Sequence, residues 1–192
     1  MKVYLLILLG VFVSCKSNSK AEPTENLASD TTVPEMENDS TKMVRTVKEF
    51  LGWYKSNYNK ANDFGFTFQD PQGNYMVNLD ECQKYLNFLK SSGHISEIYE
   101  KEWKKYFESK AQYLKENLQN EGPPEGFEFD LVLITQEPEI ILNKIDALQY
   151  VVTNNEEGTT VVRIEGELGY DFEMNLENGI WKIDYIATMN YD

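Results

Sequence analysis

Near Phe127 the spacing of apolar residues in this 192-residue chain changes from the helical period of about 3.6 to the strand period of 2, which leaves few folds open. Upstream, Val44, Val47, Phe50, Leu51 and Tyr54 recur at helical spacing and predict a helix over 42–58. Phe64, Phe66 and Phe68 then alternate, Asp70-Pro71-Gln72-Gly73 reads as a turn, and Tyr75–Val77 reads as a short returning strand. Asn78, with Glu81 three residues on, predicts the start of a second helix that buries Leu79, Cys82, Leu86 and Leu89 and stops at Gly93. Ser96 opens a third helix, with Ile98, Trp103, Tyr106, Phe107, Tyr113 and Leu114 on a broad apolar stripe, ending by Gly122-Pro123-Pro124. Downstream, Phe127, Phe129, Leu131 and Leu133 alternate, as do Leu148, Tyr150 and Val152, then Thr160, Val162, Ile164 and Leu168, then Tyr170, Phe172, Met174 and Leu176. Asn178-Gly179 predicts a two-residue hairpin pairing Leu176 with Trp181, Met174 with Ile183 and Phe172 with Tyr185, and Glu173 with Asp184 on the opposite face. Three helices followed by a strand meander, without βαβ alternation, predict an α+β domain with N-terminal helices packed on one face of an antiparallel sheet.

The other end of the chain predicts an address. Met1 and Lys2, an apolar run from Val3 to Val13 and the small residue Ser14 make an export signal over residues 1–14, too short to span a bilayer. Phe12-Val13-Ser14-Cys15 resembles a bacterial lipobox, with Phe12 where a leucine-like residue is usual, and on that reading Cys15 carries the acyl chains. An ordinary signal peptide with an incidental cysteine is the alternative. Residues 15–41, rich in Ser, Thr, Glu and Asn, read as a lipidated cysteine and disordered tether, and residues 42–192 as the single domain. With Lys16 and no acidic run after Cys15, known sorting patterns imply an outer-membrane anchor in the cell envelope, facing the periplasm. A net charge of −14 repels phosphate backbones and makes nucleic acid an unfavourable partner. Lipidation of Cys15 leaves only Cys82, so no internal disulfide forms and packing must supply stability.

Several short motifs, taken in order, resemble the exported lipoproteins called domain of unknown function 3828: Phe50-Leu51-Gly52-Trp53-Tyr54, Tyr85-Leu86-Asn87-Phe88-Leu89-Lys90, Asp130 with Gln136-Glu137, and Asn178-Gly179-Ile180-Trp181-Lys182-Ile183. The resemblance covers roughly residues 43–188 and departs at Gly52 and at Glu137, where aspartate is more usual. It implies the cystatin-like, nuclear transport factor 2-like superfold, a curved antiparallel sheet wrapped around helices with a cone-shaped cavity. It implies no activity.

Chemistry is sparse. His94 is the sole histidine, which excludes a multi-histidine metal centre and leaves any Ser/His/Asp triad dependent on it; a solvated or helix-capping imidazole is the simpler reading. Cys82 on the apolar stripe of the second helix reads as an inert buried thiol. Asp130, set among apolar neighbours, reads either as a general base with a raised pKa or as a carboxylate satisfied by backbone amides or by Gln136. The candidate pocket residues are Trp53, Tyr54, Trp103, Asp130, Gln136, Glu137 and Trp181, with core packing as the alternative for the aromatics. No cofactor motif, phosphate loop, zinc spacing or calcium loop is present in the sequence. The expectation is a non-catalytic module that binds a protein or small-molecule ligand, with an immunity-like variant whose acidic face meets a basic toxin. Its rival is a small isomerase- or dehydratase-like enzyme using Asp130 or Glu137.

Overall fold

The computed structural model describes residues 38–166 and 169–189, all within the unit Met36–Asp192. The expected export signal, Cys15, the tether up to residue 37, and Leu168 of the alternating apolar pattern lie outside the described residues. Helix α1 (Asp39–Ser56) starts where Asn38 accepts a hydrogen bond from the Thr41 amide at 2.8 Å, satisfying an otherwise orphaned helix donor. That start is three residues ahead of Lys42, because the cap rather than the apolar stripe sets it. Met43, Val47, Phe50, Leu51 and Tyr54 form the buried face of α1, and Asn57 separates it from the single turn α2 (Tyr58–Asn62).

Strands β1 (Thr67–Gln69) and β2 (Tyr75–Val77) pair antiparallel, and Asp70 closes their turn by accepting from the amides of Gln72 and Asn74. Helix α3 (Leu79–Lys90) is capped by Asn78, which accepts from the Glu81 amide, and α4 (Glu97–Glu116) by Ser96, which accepts from the Tyr99 amide. Both caps fall where the sequence puts them. The stripes differ: Leu79, Ile98 and Tyr113 are exposed, whereas Tyr85 and Tyr99 turn inward with Cys82, Leu86, Leu89, Phe107, Ala111 and Leu114. Phe66, just ahead of β1, joins these layers, with its ring 4.9 Å from Tyr85, 6.1 Å from Phe107 and 6.0 Å from Phe127.

No strand forms at Phe127–Leu133, contrary to the alternating pattern there. Leu131, Val132 and Leu133 are all buried in succession, an arrangement that a strand cannot produce with one packed face. The single turn α5 (Glu139–Leu142) leads to a four-stranded antiparallel meander, β3 (Tyr150–Asn154), β4 (Thr160–Ile164), β5 (Gly169–Glu177) and β6 (Ile180–Met189), paired in that order. Asn178 and Gly179 both have positive φ, 51° and 80°, as their two-residue turn requires. Leu176 pairs with Trp181 and Met174 with Ile183, as the turn dictates. A β-bulge between Glu173 and Met174 then shifts the register, so that Phe172 pairs with Ile186 and Glu173 with Tyr185. The expected pairs Phe172–Tyr185 and Glu173–Asp184 are therefore corrected: the extra residue on β6 turns Ile186 into the core and leaves Tyr185 exposed.

The architecture is thus α+β, with α1 packed across β3, β4 and β6, α4 against β6, and the core sealed by Tyr170, Phe172, Val162, Ile164 and Ile183. The sheet is open. On its other face Arg163 grips Asp171 through two 2.8 Å hydrogen bonds, while burial and the charges of Glu157, Asp184 and Asp171 hold the Glu173 carboxyl above its ordinary pKa. Among the described residues no helix is long and apolar enough to cross a membrane.

Candidate functional site

A groove of about 420 Å³ opens between α4, β6 and the segment after Gly126. Trp103 and Tyr106 of α4, Phe129 and Ile134 of the segment, and Tyr185 and Ile186 of β6 form its apolar lining. Glu102, Lys105 and Ser109 rim it, the first two joined in an ion pair at 2.6 Å. Trp103 reaches the groove because its ring is wedged edge-on to Tyr106, with centroids 5.0 Å apart, and tilted against Phe107 at 5.6 Å. The Tyr106 hydroxyl donates to the Gly126 carbonyl at 2.8 Å, and burial, reinforced by Glu128 and Glu125, lifts its pKa to about 12. It stays protonated and keeps that bond at physiological pH.

Gly126 makes this contact possible. Its φ is +88°, and a Cβ there would come within 2.7 Å of the Tyr106 hydroxyl and 2.6 Å of Lys110 Cε. Gly126→Ala is therefore expected to cost about 1–2 kcal/mol from backbone strain alone. It should also displace Tyr106, read as a lower urea midpoint and an altered near-ultraviolet spectrum.

Ile134 holds the opposite wall at φ 50°, a conformation that a β-branched residue adopts only when its surroundings force it. Asp130 supplies the force. Its Oδ1 accepts from the amides of Val132 at 3.0 Å and Leu133 at 2.7 Å, its Oδ2 accepts from the Tyr54 hydroxyl at 2.6 Å, and its carbonyl accepts from the Ile134 amide at 2.7 Å. The Asp130 amide donates to Thr135, and the Tyr170 hydroxyl donates to the Leu133 carbonyl at 2.7 Å. The turn is thus fixed at both ends and tied to α1 and β5. Burial raises the Asp130 carboxyl pKa, opposed by the bonds from Tyr54, Leu133 and Val132. Burial first, then the neighbouring Tyr85 and Asp130, drives the Tyr54 hydroxyl pKa well upward. With three donors on its two oxygens, the carboxylate works chiefly as the keystone of a turn.

The seven expected pocket residues do not meet in one place. Trp103 lines the groove, and Tyr54 and Asp130 meet in the hydrogen bond behind it. Asp130 and Gln136 share a shallow polar cleft of about 350 Å³ with Tyr58 and Asn62, where the Gln136 amide donates to the Glu128 carbonyl at 3.4 Å. Glu137 is exposed beyond it, its backbone amide bonded to Thr135 Oγ1. Trp53 packs on Phe88 at 5.0 Å between α1 and α3, and Trp181 packs on the core at the start of β6, its indole N–H without a hydrogen-bond partner among the described residues. Tyr106, Phe129, Ile134, Tyr185 and Ile186 were not among the expected residues. Tyr106 stood on the apolar stripe, but the bulge that brings Tyr185 and Ile186 to the groove leaves no sequence signal. His94 is half-buried, which lowers its pKa, and its carbonyl accepts from the Ile183 amide. Cys82 is buried, with burial pushing its thiol pKa up to about 12, the inert state expected of it. Among the described residues no group of three or more His, Cys, Asp or Glu side chains is arranged to hold a metal ion.

Fold and site together define an α+β domain with helices on one face of an open four-stranded antiparallel sheet and an apolar aromatic groove at one sheet edge. No protein-family model, no curated protein and no solved structure matches this chain.

Proposed function

We propose that the protein is a non-catalytic binding module whose Trp103 groove takes an uncharged, ring-bearing ligand or apolar side chain. The observation that carries this reading is the placement of Ile134: the fold spends backbone strain and six hydrogen bonds to hold an apolar wall opposite Trp103. Sites of this kind are concave and mostly apolar, with a few polar groups at the rim. The enzyme reading has weaker support, because Asp130 is occupied by structural donors and Glu137 is exposed outside both the groove and the cleft beside Asp130. The wider setting is a cell-envelope lipoprotein of the domain of unknown function 3828 type, cystatin-like in fold and tethered to the membrane through Cys15. The order of its short motifs supports that setting, as does the lipobox-like Phe12-Val13-Ser14-Cys15. Cys15→Ala, with export preserved, is expected to move the protein from the membrane to the soluble fraction.

The test of the groove uses N-phenyl-1-naphthylamine, an uncharged aromatic probe whose fluorescence rises in apolar sites. Saturable binding is expected for the full chain, weakened at least about tenfold, or about 1.4 kcal/mol, by Trp103→Ala. Tyr185→Ser removes an exposed ring without touching the core and should weaken binding in the same direction. Binding left unchanged by both variants would overturn the assignment.

A further inference from the structure

The two edges of the sheet are treated differently. On β6 the Ile183 amide donates to the His94 carbonyl and the Ile183 carbonyl accepts from the Ser96 amide, so a loop covers that edge at its middle. The bulge then breaks the edge at Asp184, and Lys182, whose ammonium donates to the Gly93 carbonyl, adds a charge. Cover, bulge and lysine are the devices by which sheet edges are kept from pairing with other chains. On β3 none of the three is present among the described residues: no backbone bond covers its outer edge, and Tyr150-Val151-Val152-Thr153-Asn154 holds no charge, no proline and no bulge.

The hydrogen bonds at the two ends of the β3–β4 pair fix which backbone groups face outward. The Glu165 amide donates to the Gln149 carbonyl and the Asn155 amide to the Thr159 carbonyl. Antiparallel pairs alternate between bonded and non-bonded, so Val151 and Thr153 bond β4, while Tyr150, Val152 and Asn154 turn their N–H and C=O groups away from the sheet. Among the described residues no backbone hydrogen bond reaches them.

We propose that the outer edge of β3 is a docking strand for an extended, basic segment of another protein, which adds to the sheet as a fifth strand. Main-chain bonds to Tyr150, Val152 and Asn154 would supply the pairing. Charge selects the occupant. The strand is neutral; Lys48 lies over the Tyr150 ring at 5.0 Å and Lys144 precedes Asp146, but Asp146, Glu156 and Glu157 in the turn that follows the strand, and Glu165 opposite Gln149, outnumber these two cations. A second copy of a chain of net charge −14 would bring like charges together at this edge, whereas a cationic strand would be attracted and steered to it. The groove lies on the β6 side, so this surface is separate from the one assigned above.

The probe is a short blocked peptide alternating lysine with valine, and its control alternates glutamate with valine. With the full chain, hydrogen exchange followed by NMR should show the amides of Tyr150, Val152 and Asn154 protected about tenfold or more by the basic peptide, and those of Val151 and Thr153 unaltered. The acidic peptide should give no protection, and added salt should weaken the basic one. Val152→Pro removes the central outward N–H in a geometry that an edge strand accepts, and should weaken binding about tenfold or more. Thr153→Lys repels the basic peptide from the outer face and carries the test should the proline variant fail to fold. Equal protection by both peptides would overturn the proposal. So would protection that grows with protein concentration alone, the mark of a second copy, or protection already present in the dilute free chain, the mark of a cover from its own residues.

Discussion

Replacing Asp130 with alanine is expected to destabilise the domain by about 3–5 kcal/mol, because it strands three donors at once: two backbone amides and the Tyr54 hydroxyl, each worth about 1–3 kcal/mol when left unsatisfied and not strictly additive. Urea unfolding followed by circular dichroism measures it. Asp130→Asn separates shape from charge. The asparagine carbonyl can still accept from Val132 and Leu133, and its amide can donate to the Tyr54 oxygen, so a loss below about 1 kcal/mol is expected. A carboxylate held for proton transfer would instead tolerate alanine in stability and lose all function with asparagine.

The same pair of proteins yields a pH signature. Burial raises the folded-state pKa of Asp130 above the unfolded value of about 3.9. The native state therefore holds the proton more tightly, and the stabilisation this gives is complete below the unfolded pKa and lost as pH rises through the folded one. The stability of the native chain relative to Asp130→Asn should fall as pH rises from about 3.5 and then level off. A difference that grows with pH would mean that the hydrogen bonds, not burial, dominate the site.

The second large effect is expected at Phe107. Its ring is fully buried, 6.1 Å from Phe66, 6.2 Å from Phe127 and 5.6 Å from Trp103, so it joins α4 to the β1–β2 layer and to the turn behind the groove. Phe107→Ala should cost about 3–5 kcal/mol, the range for a large ring removed from a core. Because Trp103 leans on that ring, the folded fraction of the variant should also bind the naphthylamine probe more weakly. Phe107→Leu, which refills most of the space, should recover much of the stability and of the binding.

Local chemistry was legible where it was decided locally. Asn78 and Ser96 cap α3 and α4, Asp70 closes the first hairpin, and Asn178-Gly179 sets the pairing of Leu176 with Trp181, all within a few residues of the signal. The failures come from bonds that cross the chain. Phe127, Phe129, Leu131 and Leu133 alternate like a strand, but Asp130 diverts the backbone into a turn by bonding Tyr54, 76 positions away, while Tyr170 fastens Leu133 from 37 positions away. The bulge on β6 is equally silent. Asp184 and Tyr185 continue a perfect polar and apolar alternation, and only the packing of Ile186 against Phe172 shows that one residue has been inserted. The candidate site depends on both features, so the sequence offered Trp103 and Asp130 but not the groove that relates them.

That relation is the central claim, and chemical-shift mapping of the full chain with the uncharged naphthylamine probe tests it most directly. Saturable shifts are predicted for the Trp103 indole and for the amides of Phe129, Ile134, Tyr185 and Ile186, while those of Tyr58, Asn62 and Gln136 stay in place. Shifts concentrated at Tyr58, Asn62 and Gln136 instead would put the ligand in the cleft beside the Asp130 carboxylate and contradict the account.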